Sequence, residues 1–154
     1  MQVIRNGVFE TNSSSTHSIT IAGFGELNDA LLVNDEICTI FPGEFGWEWE
    51  DFNDAATKAS YCLTYCKSLE KSQGEHCTHI QNQSPELLEQ LKRVIARHTG
   101  AKEVHYQERI DQFYPWGYID HQSHDTCAPA FETDETLAMF IFNKNSVLQT
   151  GNDN

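Results

Sequence analysis

The sequence predicts an α+β fold: a single domain over residues 1–154, with two to three helices packed on a mixed or antiparallel sheet. Two periodicities predict it. Residues 3–8 and 18–22 alternate in character as half-buried strands do. From Asp54 onward, apolar residues recur every three or four positions, as on one face of a helix. A length of 154 residues fits one domain and is enough to bury a core without metals or disulfides.

The predicted strands begin at the N-terminus. The first ends near Phe9 and the second covers Ser18 to Ala22, so about eight residues lie between them. Hairpin loops usually have about two to five residues, and the extra length indicates more than a turn. A third strand is predicted at residues 36–41, and two more at 103–108 and 146–150.

Helices are predicted at residues 54–70 and 84–99. Asn53 is a suitable N-cap for the first helix. Ser84 caps the second helix, Pro85 occupies its first turn, and Gly100 follows its end.

A short apolar run at residues 136–142 is ambiguous between helix and strand. The choice of a helix rests on a cap at Thr133 or Asp134.

The chain is strongly acidic, with 23 Asp and Glu against ten Lys and Arg and a net charge of −13. Because phosphate contacts require Lys and Arg, we expect no general binding to DNA. A basic protein partner, or solubility alone, fits this charge better.

Five cysteines are too few and too irregular for a secreted disulfide framework. The first twenty residues contain no apolar signal segment, and the longest apolar run, Leu137 to Phe142, is too short to cross a membrane. We therefore expect a cytoplasmic protein. Cys62 and Cys66 lie on the predicted helix stripe, which favours core packing over a zinc site that would also use His76, Cys77 and His79. No metal site is predicted, and the sequence identifies no cofactor.

The stretch FETNSSSTHS, residues 9–18, forms the first polar loop. One interpretation is a solvated turn, because consecutive hydroxyl residues compete with regular backbone pairing. The other is a phosphate-binding nest in which Arg5 supplies charge and His17 acts as acid or base. The predicted binding residues of this loop are Asn12, Ser13, Ser14 and Ser15.

The longer stretch RNGVFETNSSSTHS resembles the N-terminal signature of a family of small, uncharacterised phage and bacterial proteins, R-x-G-V-F-E-T-N-S-S-S-x-H-S. The resemblance is close from Arg5 to Ser18 and looser at residues 41–47 and 117–123. It implies a phage or mobile-element origin and a cytoplasmic setting, and it implies no catalytic roles.

A second polar loop follows at YIDHQSHDTC, residues 118–127. It is either a surface loop or part of a site. In the second case His17 and His121 would be an acid–base pair, Asp120 would orient His121, Ser123 would bind substrate, and Arg5 would stabilise developing negative charge.

The segment GEFGWEWEDFND, residues 43–54, combines aromatic and acidic side chains. Either its aromatic side chains pack in the core and its acidic side chains face solvent, or the segment forms a patch that binds a basic protein. The predicted partner-binding residues are Trp47, Glu48, Trp49, Glu50 and Asp51.

Two functions therefore compete. The first is a phage-type cytoplasmic enzyme that acts on a phosphate-bearing substrate, such as a nucleotide or nucleic-acid end, through the two polar loops. The alternative is an acidic, non-enzymatic inhibitor of a basic host protein, serving as an anti-defence or host-takeover factor.

Overall fold

A computed structural model of the protein describes residues 3–7, 17–23, 27–46, 49–71, 84–110, 113–119 and 125–151. In chain order the strands of these residues are β1 (Val3–Gly7), β2 (Ser18–Ala22), β3 (Ile37–Ile40), β4 (Glu44–Phe45), β5 (Glu50–Phe52), β6 (Glu103–Tyr106), β7 (Tyr118–Ile119) and β8 (Val147–Thr150). The helices are α1 (Ala55–Lys71), α2 (Ser84–Thr99) and α3 (Asp134–Phe142), and a 3₁₀ turn covers Ala128–Phe131.

The strands form one larger sheet and two small ones. The larger sheet has the order β1-β2-β8-β5, and all of its pairs are antiparallel. The other two sheets are the parallel pairs β3-β6 and β4-β7. The predicted α+β class, with helices packed on a sheet, is confirmed.

The three helices pack on one another at the centre of the fold. On one side α3 lies against β2, and on the other α1 and α2 lie against β3. We expected the two long helices to cover the sheet of the N-terminal strands, but α3 is the helix that packs on β2. The reason is that α1 is buried on all sides over residues 61–66, so its faces are shared among several elements.

The helix boundaries follow local signals closely. Helix α2 has the predicted bounds, and the ambiguous run is a helix whose N-cap, Thr133, accepts a hydrogen bond from the Thr136 amide. The predicted cap of α1 is wrong by one residue: the Asp54 carboxylate, rather than Asn53, accepts from the Thr57 amide at 2.9 Å. An Asp at this position also interacts favourably with the helix dipole.

The strand predictions are confirmed in their positions, with ends that differ by one or two residues. β2 is as predicted, and β3, β6 and β8 lie inside the predicted ranges. The predicted end of the first strand near Phe9 lies outside the described residues. Strands β4 and β7 have only two residues each and carry no sequence signal.

Cys62 and Cys66 are buried in the core, as the stripe predicted. The Ser84 hydroxyl donates to the Cys66 carbonyl oxygen at 2.9 Å, which ties the start of α2 to α1. The other predicted zinc candidates, His76, Cys77 and His79, lie outside the described residues.

Candidate functional site

Only part of the predicted phosphate site can be located. Arg5 lies in β1, with its backbone paired to Thr20, and His17 directly precedes β2. The remaining members of that set are Asn12, Ser13, Ser14, Ser15, Asp120, His121 and Ser123, and all seven lie outside the described residues. Their convergence on one substrate stays a prediction.

His17 is fully buried, and its partner is Tyr61 of α1. The His17 Nδ1 atom and the Tyr61 hydroxyl are 2.9 Å apart, with the two rings tilted by 53°. The side chain of Thr126, which is equally buried, lies beside the Tyr61 hydroxyl. Together these three residues form what we call the Tyr61 junction.

The Tyr61 junction connects the flanks of the two polar loops. His17 follows the first loop directly, and Thr126 lies at the end of the second. The Tyr61 hydroxyl therefore contacts the chain that follows the first loop and lies beside the chain at the end of the second. The sequence did not reveal Tyr61 as a member of the site, because the residue sits beside the apolar stripe of α1 and resembles an ordinary core aromatic.

The surroundings of Tyr61 keep its hydroxyl uncharged. Burial raises the pKa of the Tyr61 hydroxyl well above its usual range. Beside it, the Sγ atoms of Cys62 and Cys127 are 3.5 Å apart. Burial, together with the neighbouring Cys127, raises the pKa of the Cys62 thiol. A neutral, buried hydrogen-bonded group of this kind is suited to hold backbone in place.

We expect Tyr61→Phe to lower the free energy of unfolding by about 1–3 kcal/mol, because the change leaves buried polar atoms without their partner. Urea denaturation measures this loss. Tyr65→Phe is the matched control, since Tyr65 is a buried tyrosine one turn later whose ring packs on Phe131 at 5.7 Å. Equal effects of the two substitutions would show that the Tyr61 hydroxyl contributes nothing particular.

The aromatic residues that precede the second polar loop lie at the surface. Arg109 donates its amide to the Pro115 carbonyl at 2.7 Å, which closes a compact loop. Phe113 at its tip is 87% exposed, and the Tyr114 and Tyr118 rings are stacked 5.0 Å apart. Phe113 and the stacked tyrosines therefore form an apolar part of the surface.

Of the predicted partner-binding residues, the structure describes Trp49, Glu50 and Asp51. Trp47 and Glu48 lie outside the described residues. β5, which holds Glu50 and Asp51, forms an edge of the four-stranded sheet. Trp49 is 65% exposed, and both carboxylates are exposed. We call Trp49, Glu50 and Asp51 the Trp49 edge.

Trp49 is exposed, but its ring packs in a defined position. Its ring lies directly over Gly151, where a Cβ atom would collide with three ring carbons. Neither Glu50 nor Asp51 forms an ion pair within the described residues. The Trp49 edge therefore presents an indole face beside two carboxylates that are open to a partner.

Comparison of the chain with protein-family models, with curated proteins and with solved structures finds no match. The resemblance of the N-terminal signature stays a prediction. None of the helices among the described residues is long and apolar enough to cross a membrane.

Proposed function

We propose that the protein is an acidic binding protein that docks on a basic protein through the Trp49 edge. The observation that carries the proposal is a largely exposed tryptophan whose ring packs on Gly151, next to two exposed carboxylates. Tryptophan is enriched among the residues that dominate binding energy at protein interfaces, and complementary charge accelerates and orients association.

Charge supports the same proposal. The chain carries a net charge of −13, so its field attracts a basic partner over a long range. The resemblance of the signature to phage proteins makes a host protein the expected partner, with inhibition as the expected consequence. Contacts of this kind weaken as salt screens the charges, with a Debye length of about 8 Å at physiological ionic strength.

Trp49→Ala is expected to abolish or strongly weaken partner binding without unfolding the chain. Truncating a central interface aromatic commonly costs about 2 kcal/mol or more of binding energy, or more than tenfold in affinity. The measurement is quantitative affinity capture from host lysate at low salt, followed by titration of the recovered partner. Phe113→Ala is the control, because Phe113 is also an exposed aromatic residue on a loop.

A second pair of variants separates position from total charge. The double variant Glu50→Lys and Asp51→Lys should prevent binding. The double variant Glu108→Lys and Glu132→Lys changes the net charge by the same amount at exposed sites elsewhere, and it should preserve most of the binding affinity. The proposal fails if both pairs act alike, or if no partner is recovered that depends on Trp49.

The phosphate-directed enzyme is a second candidate, and the Tyr61 junction supports it. A site made from two loops requires their flanks to lie close together, and His17 and Thr126 both lie beside the Tyr61 hydroxyl. Its test is titration with inorganic phosphate and with AMP, followed by ³¹P NMR. In this case Arg5→Ala should remove binding and Trp49→Ala should not, which is the reverse of the pattern expected for the binding protein.

A further inference from the structure

The chain before β3 forms a hairpin that opens almost immediately. Asn34 and Ile37 exchange two backbone hydrogen bonds of 2.9 Å around a two-residue turn. Asp35 and Glu36 at the centre of the turn both have positive φ, 51° and 67°, the arrangement of a type I′ hairpin turn. No strand pairing continues beyond this single bridge, so residues 27–33 separate from β3.

This separation leaves one edge of β3 open. Successive residues of a strand direct their backbone groups to opposite edges. The Glu36 and Ile40 carbonyl oxygens accept hydrogen bonds from the β6 side, whereas Ile37 bonds to Asn34 on the other side. Thr39 therefore directs its N–H and C=O groups away from β6, towards the separated chain.

A groove lies along this open edge. It consists of two adjoining cavities of about 440 and 320 Å³, which share Leu32, Thr39 and Phe41. Leu32 and Phe41 are 78% and 49% exposed, so the rim is apolar. Ala56 and Ser60 of α1 lie in the wall of the larger cavity.

Two of the edge strands of the fold, β3 and β5, differ in how they resist pairing with another chain. Exposed edges are usually protected by charged residues, proline or bulges. β5 carries Glu50 and Asp51, whereas β3 is Ile-Cys-Thr-Ile and has no charged residue. β3 therefore lacks that protection, and its β-branched residues favour strand pairing.

The charges of the groove indicate the kind of segment that fits. Glu44 lines the larger cavity and also pairs with Arg109 at 3.7 Å, Asp35 lines the smaller cavity, and among the described residues no Lys or Arg lines either. His105, in the smaller cavity, contacts the Glu103 carboxylate at 2.8 Å. An extended segment with apolar side chains and Lys or Arg at its ends complements this lining.

We propose that β3 accepts an added strand: an extended apolar segment of another protein, flanked by basic residues, that pairs with the backbone of Thr39. Affinity would come from main-chain hydrogen bonds and selectivity from the apolar cavities and the two carboxylates. This surface is separate from the Trp49 edge, and the proposal does not depend on the function assigned to that edge.

The probe is the peptide Lys-Val-Leu-Val-Lys, acetylated and amidated at its ends, titrated into ¹⁵N-labelled protein. Binding should shift the amide resonances of Leu32, Thr39 and Phe41. Two N-methylated forms of the peptide provide the decisive comparison, because amides of successive residues point to opposite edges of a strand. Methylation of an amide that faces β3 should weaken binding at least about tenfold, because it removes a hydrogen bond and adds a steric clash. Methylation of the next amide, which faces away from β3, should leave binding nearly unchanged.

A protein variant tests the charge separately. Asp35→Asn retains a residue type that tolerates positive φ, so the turn is kept while one carboxylate is removed. This change should weaken binding of the peptide several-fold, and Glu108→Gln, an exposed control, should not. The proposal is overturned by equal effects of the two N-methyl groups or by no shifts at millimolar peptide. It is also overturned if the Thr39 amide shifts with protein concentration alone, because the groove would then hold a second copy of this chain.

Discussion

Leu91→Ala is expected to lower the free energy of unfolding by about 2–5 kcal/mol, the usual cost of emptying a fully buried leucine site. Leu91 has no accessible surface, and its helix α2 packs on α1, on α3 and on the β3-β6 pair. Neighbours on that many sides cannot all move into the space that the side chain leaves, so a cavity should remain.

The measurement is urea or thermal denaturation, with Leu32→Ala as the control. Leu32 is 78% exposed, and truncating it should change stability by less than about 0.5 kcal/mol. A Leu91 variant as stable as the Leu32 variant would mean that α2 does not pack as described.

Helices were the most predictable elements because their signals are local. Ser84, Pro85 and Gly100 mark both ends of α2, and Gly100 adopts the positive φ of 75° that helix ends commonly require. The cap at Thr133 settles the assignment of α3 in the same way. Each signal operates within a few residues of the boundary that it sets.

Strand pairing was much less predictable because its partners are distant in sequence. Ile37 lies opposite Glu103, Glu44 opposite Tyr118, and Glu50 opposite Thr150. Nothing local distinguishes a parallel from an antiparallel partner for strands of two to four residues. Their preferences depend on the packing around them rather than on the residues alone.

Helix α1 shows the limit of a stripe analysis. The spacing of Ala55, Ala59, Cys62 and Cys66 identifies one buried face, whereas the helix is buried all round over residues 61–66. A stripe identifies the most apolar face of a helix and does not predict whether the other faces are buried. Tyr61 and its hydrogen bond to His17 were missed for that reason.

The candidate sites also differ in how far the sequence predicts them. The acidic, aromatic composition of the Trp49 edge is visible in the sequence, and the exposure of Trp49, Glu50 and Asp51 agrees with a patch on the surface. The open edge of β3 depends on where the hairpin at Asn34 separates, which is a property of the tertiary structure.

One charged residue on the α1 stripe could have been noticed. Lys58 lies three residues after Ala55 and four before Cys62, and it is completely buried. Its Nζ atom donates to the carbonyl oxygens of Asn143 and Ser146 at 2.8 and 2.9 Å. Asn143 is the C-cap of α3, and its carbonyl oxygen also accepts from the Ser146 amide at 2.9 Å, so Lys58 ties the end of α3 to the chain that precedes β8.

The buried position changes the titration of Lys58. Burial lowers the pKa of its amine from 10.5 to about 8, although Asp29 and Asp54 oppose this shift. Between those two pH values the unfolded chain holds a proton that the folded chain has released. Stability contributed by this group therefore rises with pH across that window, with a slope of up to about 1.4 kcal/mol per pH unit, and is constant below it.

Lys58→Met should consequently destabilise the protein more at pH 10 than at pH 7. At pH 10 the native amine is mostly neutral and still has two N–H groups for the two carbonyl oxygens. The Asn143 oxygen keeps the Ser146 amide as a donor, so the loss of Lys58 costs about 1–3 kcal/mol for the Ser146 oxygen, which loses this donor. At pH 7 the substitution also removes the cost of burying a charge, which offsets part of that loss. The measurement is the difference in free energy of unfolding between the wild type and the variant, taken by urea denaturation at intervals from pH 7 to pH 10. Tyrosine and cysteine titrations occur in both proteins and cancel in this difference. A difference that stays constant over the range would show that the Lys58 amine keeps an ordinary pKa and is not enclosed at the end of α3.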